Sequence, residues 1–125
     1  MGALIFGFDH ESEDSYAETV EWAIQNKLDI GQFTVLTPLP GTDLSERMKR
    51  EGRITTLNWT DYDCTHDVVQ REKTRTKNLD LIVRMAFRKF YSYGAQLRRF
   101  RLPKNLFDLA IRLTNMRLRT VSQSF

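Results

Sequence analysis

Short apolar runs, one acidic amphipathic stretch and two longer stripes of helical period divide the chain. Leu4-Ile5-Phe6-Gly7-Phe8 is apolar without alternation and meets acid at Asp9, the pattern of a buried strand in a parallel sheet. Tyr16, Val20, Ile24 and Leu28 then recur every fourth residue with Ala17 and Ala23 beside them, which predicts a helix ending near 26–28. Ser12 and Ser15 are its candidate N-caps, and Ser15-x-x-Glu18 fits a capping box. Glu13, Asp14, Glu18 and Glu21 put negative charge where the helix dipole favours it. Residues 30–37 are rich in β-branched and aromatic side chains and stop at Pro38, which reads as a second strand. The order is β-α-β, and a crossover of this length joins parallel strands in the right-handed sense.

Thr42 to Arg50 reads as a short helix, capped by Thr42 or Asp43, with Leu44 and Met48 one turn apart and Gly52 as its stop. Residues 53–75 are polar and irregular, with Trp59, Tyr62 and Val68-Val69 as anchors. The strongest periodicity follows. Leu79, Ile82, Val83, Ala86, Phe87, Phe90 and Tyr91 mark one face of an amphipathic helix about 16 residues long. Gly94 and Pro103 bracket a basic linker, and a last helix is expected from Lys104 to Arg119 with Leu106, Leu109, Ala110, Leu113 and Met116 on one face. Two parallel strands leave an edge and an apolar face open. The pattern therefore predicts the C-terminal piece of a larger α/β protein, one β-α-β unit followed by amphipathic helices.

Charge sharpens the division. Residues 1–70 carry 5 Lys/Arg against 13 Asp/Glu, a balance of −8, whereas residues 71–125 carry 14 against 3, a balance of +11. The expected units are an α/β part over 1–70 and a basic helical extension over 71–125. With 41% hydrophobic and 28% charged residues, the 125-residue chain has the composition of an ordinary globular domain. No apolar run approaches the roughly 20 residues of a membrane span, and the first residues lack a basic n-region. Cys64 is the one cysteine, so no internal disulfide and no multi-cysteine metal site can form, and a reducing, cytoplasmic setting is expected.

Candidate chemistry is sparse. Asp9, His10 and Glu11 follow the first strand, but His10 and His66 have no metal-ligand spacing and read as polar turn residues. Asp63 and Asp67 surround Cys64 with the wrong charge for a reactive thiolate. Neither a catalytic residue nor a metal ligand is expected. The basic segment of Arg98, Arg99, Arg101, Lys104, Arg112, Arg117 and Arg119 among leucines can pack on the rest of the protein or lie on an anionic membrane. It lacks the glycine–aromatic and zinc patterns of nucleic-acid binders, which sets nucleic acid behind both.

Several strings together resemble one enzyme family. They are Phe6-Gly7-Phe8-Asp9, Gln32-Phe33-Thr34-Val35-Leu36-Thr37-Pro38-Leu39-Pro40-Gly41-Thr42, Arg50-Glu51-Gly52-Arg53-Ile54, Trp59 with Tyr62-Asp63, and Phe90-Tyr91-Ser92. In order and spacing they resemble the end of the catalytic barrel of radical S-adenosylmethionine enzymes, in the group with a cobalamin-binding domain. The resemblance implies the last two β/α units of a partial TIM-type (β/α)6 barrel. It implies that Ile5, Gly7, Leu36, Thr37 and Pro38 line the adenine of S-adenosylmethionine at the strand ends. The family's Gly-x-Ile-x-Gly-x-x-Glu is Ala3-x-Ile5-x-Gly7-x-x-His10 here, with two departures. The intact parent would hold a 4Fe–4S cluster and, in this group, cobalamin, and would modify an unreactive carbon by methylation or rearrangement. A three-cysteine loop holds that cluster, and a chain with Cys64 alone cannot hold it, so this chain by itself is expected to be inactive and to need the rest of the barrel as partner. The alternative is a non-enzymatic module whose basic helices dock on an anionic membrane or a partner protein.

Overall fold

The computed structural model describes residues 1–71, 78–100 and 106–122. Residues 72–75 of the irregular stretch, Arg101 and Pro103 of the expected linker, and Lys104 at the expected start of the last helix lie outside the described residues. Strands β1 (Gly2–Phe6) and β2 (Gly31–Val35) flank helix α1 (Glu13–Gln25), and α2 (Asp43–Arg50) follows. After a 3-10 turn at Trp59–Asp61 come α3 (Leu79–Phe90), α4 (Tyr93–Arg98) and α5 (Leu106–Ser122). The strands are parallel and pair in the order β1-β2, with Gly2 opposite Gly31 and Phe6 opposite Val35. This is the expected β-α-β unit. A mixed α/β architecture with a small parallel sheet is present; the strands are two residues out of place at β1 and shorter than expected at β2.

Pleating sends alternate side chains to opposite faces. Phe6, Phe33 and Val35 point at α1 and α3 and are buried to within 2% exposure. They meet Tyr16, Val20, Ala23 and Ile24 of α1 and Leu79, Val83, Ala86 and Phe90 of α3 in one apolar core. Phe33 lies at its centre, edge-on to both Phe87 and Phe90 at 5.3 and 5.5 Å. Burying each such side chain contributes about 1.5–3 kcal/mol, so the stripe on α3 holds the sheet more firmly than the two-stranded pairing does.

Local signals explain the helix ends. Ser12 caps α1, and the capping box closes with Ser15 rather than Glu18: Ser12 Oγ accepts from Ser15 N and Ser15 Oγ accepts from Ser12 N. Thr42 caps α2 by accepting from Ser45 N at 3.2 Å. Gly52 follows with φ +66, the left-handed stop expected there.

Helix α4 was not expected, since all of it past Tyr93 falls in the stretch read as linker. Ser92 caps it, accepting from Ala95 N. Arg99 then fastens it to the body. Its guanidinium donates to the carbonyls of Leu28 (2.8 Å) and Phe90 (2.6 Å) and lies 3.7 Å over the Phe90 ring. Burial pulls the Arg99 pKa down, opposed by Tyr91 and Asp29.

Candidate ligand surface at the strand ends

Ligands of parallel α/β folds sit beyond the carboxyl ends of the strands, so the geometry there decides which residues remain free. Leu36 N donates to the Phe6 carbonyl at 2.8 Å and extends the ladder by one residue. Beyond it Gly7 takes φ +108, a conformation strained for any residue with a side chain. Its N–H donates to Glu11 Oε2 at 2.7 Å, as does that of Phe8 at 2.8 Å, and its carbonyl accepts from Arg71 Nε at 3.0 Å. A Cβ at Gly7 would stand 3.0 Å from both Arg71 Nη2 and Leu79 Cδ1. The space this glycine leaves is filled by the protein itself.

Arg71 is one of two arginines that the polar stretch folds back onto the strand ends. Its side chain is 3% exposed and forks onto Asp67 with two 2.6 Å bonds. Arg53 donates to the Gln70 carbonyl at 2.9 Å, to Glu51 and to both oxygens of Asp9. The hydrogen bond that Arg53 donates to Asp9 leads in raising the Arg53 pKa, against burial, with help from Glu51. An isolated antiparallel bridge between Ile54 and Val69 ties the two arms of this loop together. Val68 and Val69 are buried with Met48, and Leu36, Leu44, Ile54 and Tyr62 pack around them. Three of the expected anchors are therefore real, whereas Trp59 is largely exposed.

The five residues expected to line a ligand separate accordingly. Gly7 is engaged on both its N–H and its carbonyl, Leu36 packs on the second apolar cluster, and Pro38 is buried. Thr37 is half-buried and its hydroxyl donates to the Val35 carbonyl at 3.1 Å. Ile5 alone stands clear, 48% exposed on the sheet face opposite the core, where exposed Ala3 and Gln32 and half-buried Thr34 are its neighbours.

The outer edges of the sheet also differ. Along β2, Tyr91 Oη accepts from Gly31 N at 3.3 Å and donates to Gly31 O at 3.0 Å, while Val35 N donates to the Cys64 carbonyl at 2.8 Å. The β2 edge is thus tied at both ends. Among the described residues no strand pairs with the outer edge of β1. The Cys64 backbone that accepts this bond is held at φ +64.

A small polar cluster surrounds Asp63. Asp63 accepts from Thr65 and His66, and these hydrogen bonds outweigh burial and hold its carboxyl far below the usual range. The same contact raises the His66 pKa. Among the described residues no group of three or more His, Cys, Asp or Glu could hold a metal ion. No described helix is long and apolar enough to cross a membrane.

Three curated proteins are similar in sequence. Bacteriochlorophyllide d C-12(1)-methyltransferase of Chlorobaculum tepidum is 38% identical over 73 residues, 58% of this chain and 16% of that protein. A methyltransferase of Pyrococcus horikoshii is 30% identical over 108 residues, 86% of this chain and 22% of that protein. Bacteriochlorophyllide d C-8(2)-methyltransferase of Chlorobaculum tepidum is 23% identical over 110 residues, 87% of this chain and 24% of that protein. The chain spans about a fifth of the length of these relatives. No model of a known protein family and no solved structure matches it.

These relatives correct the sequence reading. All three are named for methyl transfer and none for radical chemistry, an iron–sulfur cluster or cobalamin. The assignment to the radical S-adenosylmethionine enzymes, and the function of a fragment of such an enzyme, are overturned by that finding. The motif strings were each short, and strand–turn strings of this kind answer to backbone demands that many parallel α/β proteins share. The alternative of a non-enzymatic docking module fits no better, since the relatives are named as enzymes.

Proposed function

We propose that this chain is one part of an S-adenosylmethionine-dependent methyltransferase and that its open sheet face contributes to the methyl-donor site. The observation that carries the reading is the match to a methyltransferase across 86% of the chain at 30% identity. The donor supplies an activated methyl group. The chain supplies an apolar surface at Ile5 for a flat heterocycle and the half-buried strand exit at Thr37, above a turn made rigid by Pro38. Gly7, with Arg71 and Glu11, fixes the turn beside them.

The sheet supports the reading independently. Parallel sheets are covered on both faces, and among the described residues this one is covered on one. In the complete enzyme the sheet continues past β1, as part of a larger parallel sheet or of a partial barrel, and the added protein encloses the space over Ile5. The partner in this reading is more polypeptide of the same enzyme.

Photo-cross-linking of radiolabelled S-adenosylmethionine to the full chain tests it. Label confined to peptides containing Ile5 or Thr37, competed by S-adenosylhomocysteine and lost in Ile5→Asp, is expected. Label spread along the chain, or unaffected by the competitor, would overturn the donor site.

A further inference from the structure

A cavity of about 580 Å3 opens between α4, α5 and Asp29, which lies just ahead of β2. Its volume falls within the roughly 300–1,000 Å3 of small-molecule sites. Leu97 and Phe100 line it from the α4 side, and Leu109 and Leu113 line it one turn apart from α5. All four are more than two-fifths exposed, so the apolar walls face each other without meeting.

Two polar atoms at this cavity are buried and unsatisfied: Arg112 Nε and Asn115 Oδ1. They belong to lining residues three positions apart on α5, hence on one face. The Arg112 guanidinium stands 5.0 Å from the Phe100 ring centroid, at the edge of the apolar wall. Arg99, the other lining arginine, gives its Nε, Nη1 and Nη2 to backbone carbonyls and is part of the fold. Asn115 is held in place by its amide, which donates to the Asp29 carbonyl at 2.8 Å. A buried donor without a partner destabilises the fold, more so when the group is charged. Nε is closed off from the cavity as it stands, so an acceptor there meets the rest of the half-buried guanidinium.

We infer that this cavity binds a small amphipathic carboxylate, with its apolar body between Leu97, Phe100, Leu109 and Leu113 and its carboxylate on Arg112. A carboxylate accepts the guanidinium N–H and cancels its charge. This site lies apart from the strand ends and does not rest on the methyl-donor reading.

Titration of the full chain with dodecanoate and with dodecanol, followed by NMR, provides the test. Saturable dodecanoate binding that shifts Leu109 and Leu113, at least tenfold tighter than dodecanol, is expected. Arg112→Met keeps the apolar stem and should weaken dodecanoate about tenfold or more while leaving dodecanol unchanged. Leu109→Asp should abolish both, with helicity by circular dichroism reporting that the fold is kept. Equal affinity for the two probes, no loss in Arg112→Met, or binding only to phosphatidylserine vesicles would each overturn the proposal.

Discussion

The two faces of the sheet are built from the same ten residues and meet opposite fates. On one, Phe6, Phe33 and Val35 are sealed beneath α1 and α3; on the other, Ile5 keeps 48% of its surface. The two edges repeat the contrast. Tyr91 and the Cys64 carbonyl close the β2 side, and no described strand closes the β1 side. The chain thus spends its own apolar side chains on one face and one edge. What it leaves open is consistent in position, and that position is where we place the contact with the rest of a methyltransferase.

The comparison can be broken most forcefully at the core. Phe33→Ala should cost about 3–5 kcal/mol in urea denaturation, whereas Ile5→Ala on the open face should stay within about 0.5 kcal/mol. Similar losses for the two would mean that the open face is covered.

The strand-end arginines come next. Arg71→Ala removes a side chain 3% exposed that joins Asp67 to the Gly7 carbonyl, and should cost about 3 kcal/mol. Gly7→Ala, which meets Arg71 and Leu79 at φ +108, should cost about 1–3 kcal/mol. If Gly7→Ala were neutral, the tight turn would have no structural role. Tyr91→Phe deletes only the hydroxyl that closes the β2 edge and should cost about 1 kcal/mol, with faster exchange of the Gly31 amide.

The smallest expected effect is in the exposed Asp63–His66 pair. The His66 pKa is raised above the ordinary value by Asp63, so its contact is fully present below about pH 6.5 and fades as pH rises through the raised value. The depressed Asp63 carboxyl works the other way, its contribution fading as pH falls through its own low pKa. An NMR titration of His66 should give a value above the ordinary one that drops in Asp63→Asn.

Much of this architecture was legible from spacing. The period of four from Tyr16 to Leu28 and the stripe from Leu79 to Phe90 gave α1 and α3, because each helix buries one face against the sheet. The Pro38 stop and the Thr42 cap placed the exit of β2 and the start of α2. What escaped was held by long-range polar contacts without a local signature. Helix α4 depends on Arg99 reaching Phe90 and Leu28, and the strand ends depend on Arg53 and Arg71 returning from a stretch that reads as irregular. For the same reason Gly7 reads as a ligand turn in sequence, although an arginine 64 positions away fills its space. Motif strings, finally, pointed to a family that the named relatives contradict.

The central claim is that, among the described residues, the sheet is open on the β1 side and closed on the β2 side. Amide hydrogen exchange on the isolated chain measures it directly. Gly2 and Leu36 bond across the ladder, so alternation turns the Ala3 and Ile5 amides to the free side. The account predicts fast exchange at Ala3 and Ile5 and slow exchange at Gly31 and Val35. Protection of Ala3 and Ile5 as strong as that of Val35 would contradict it.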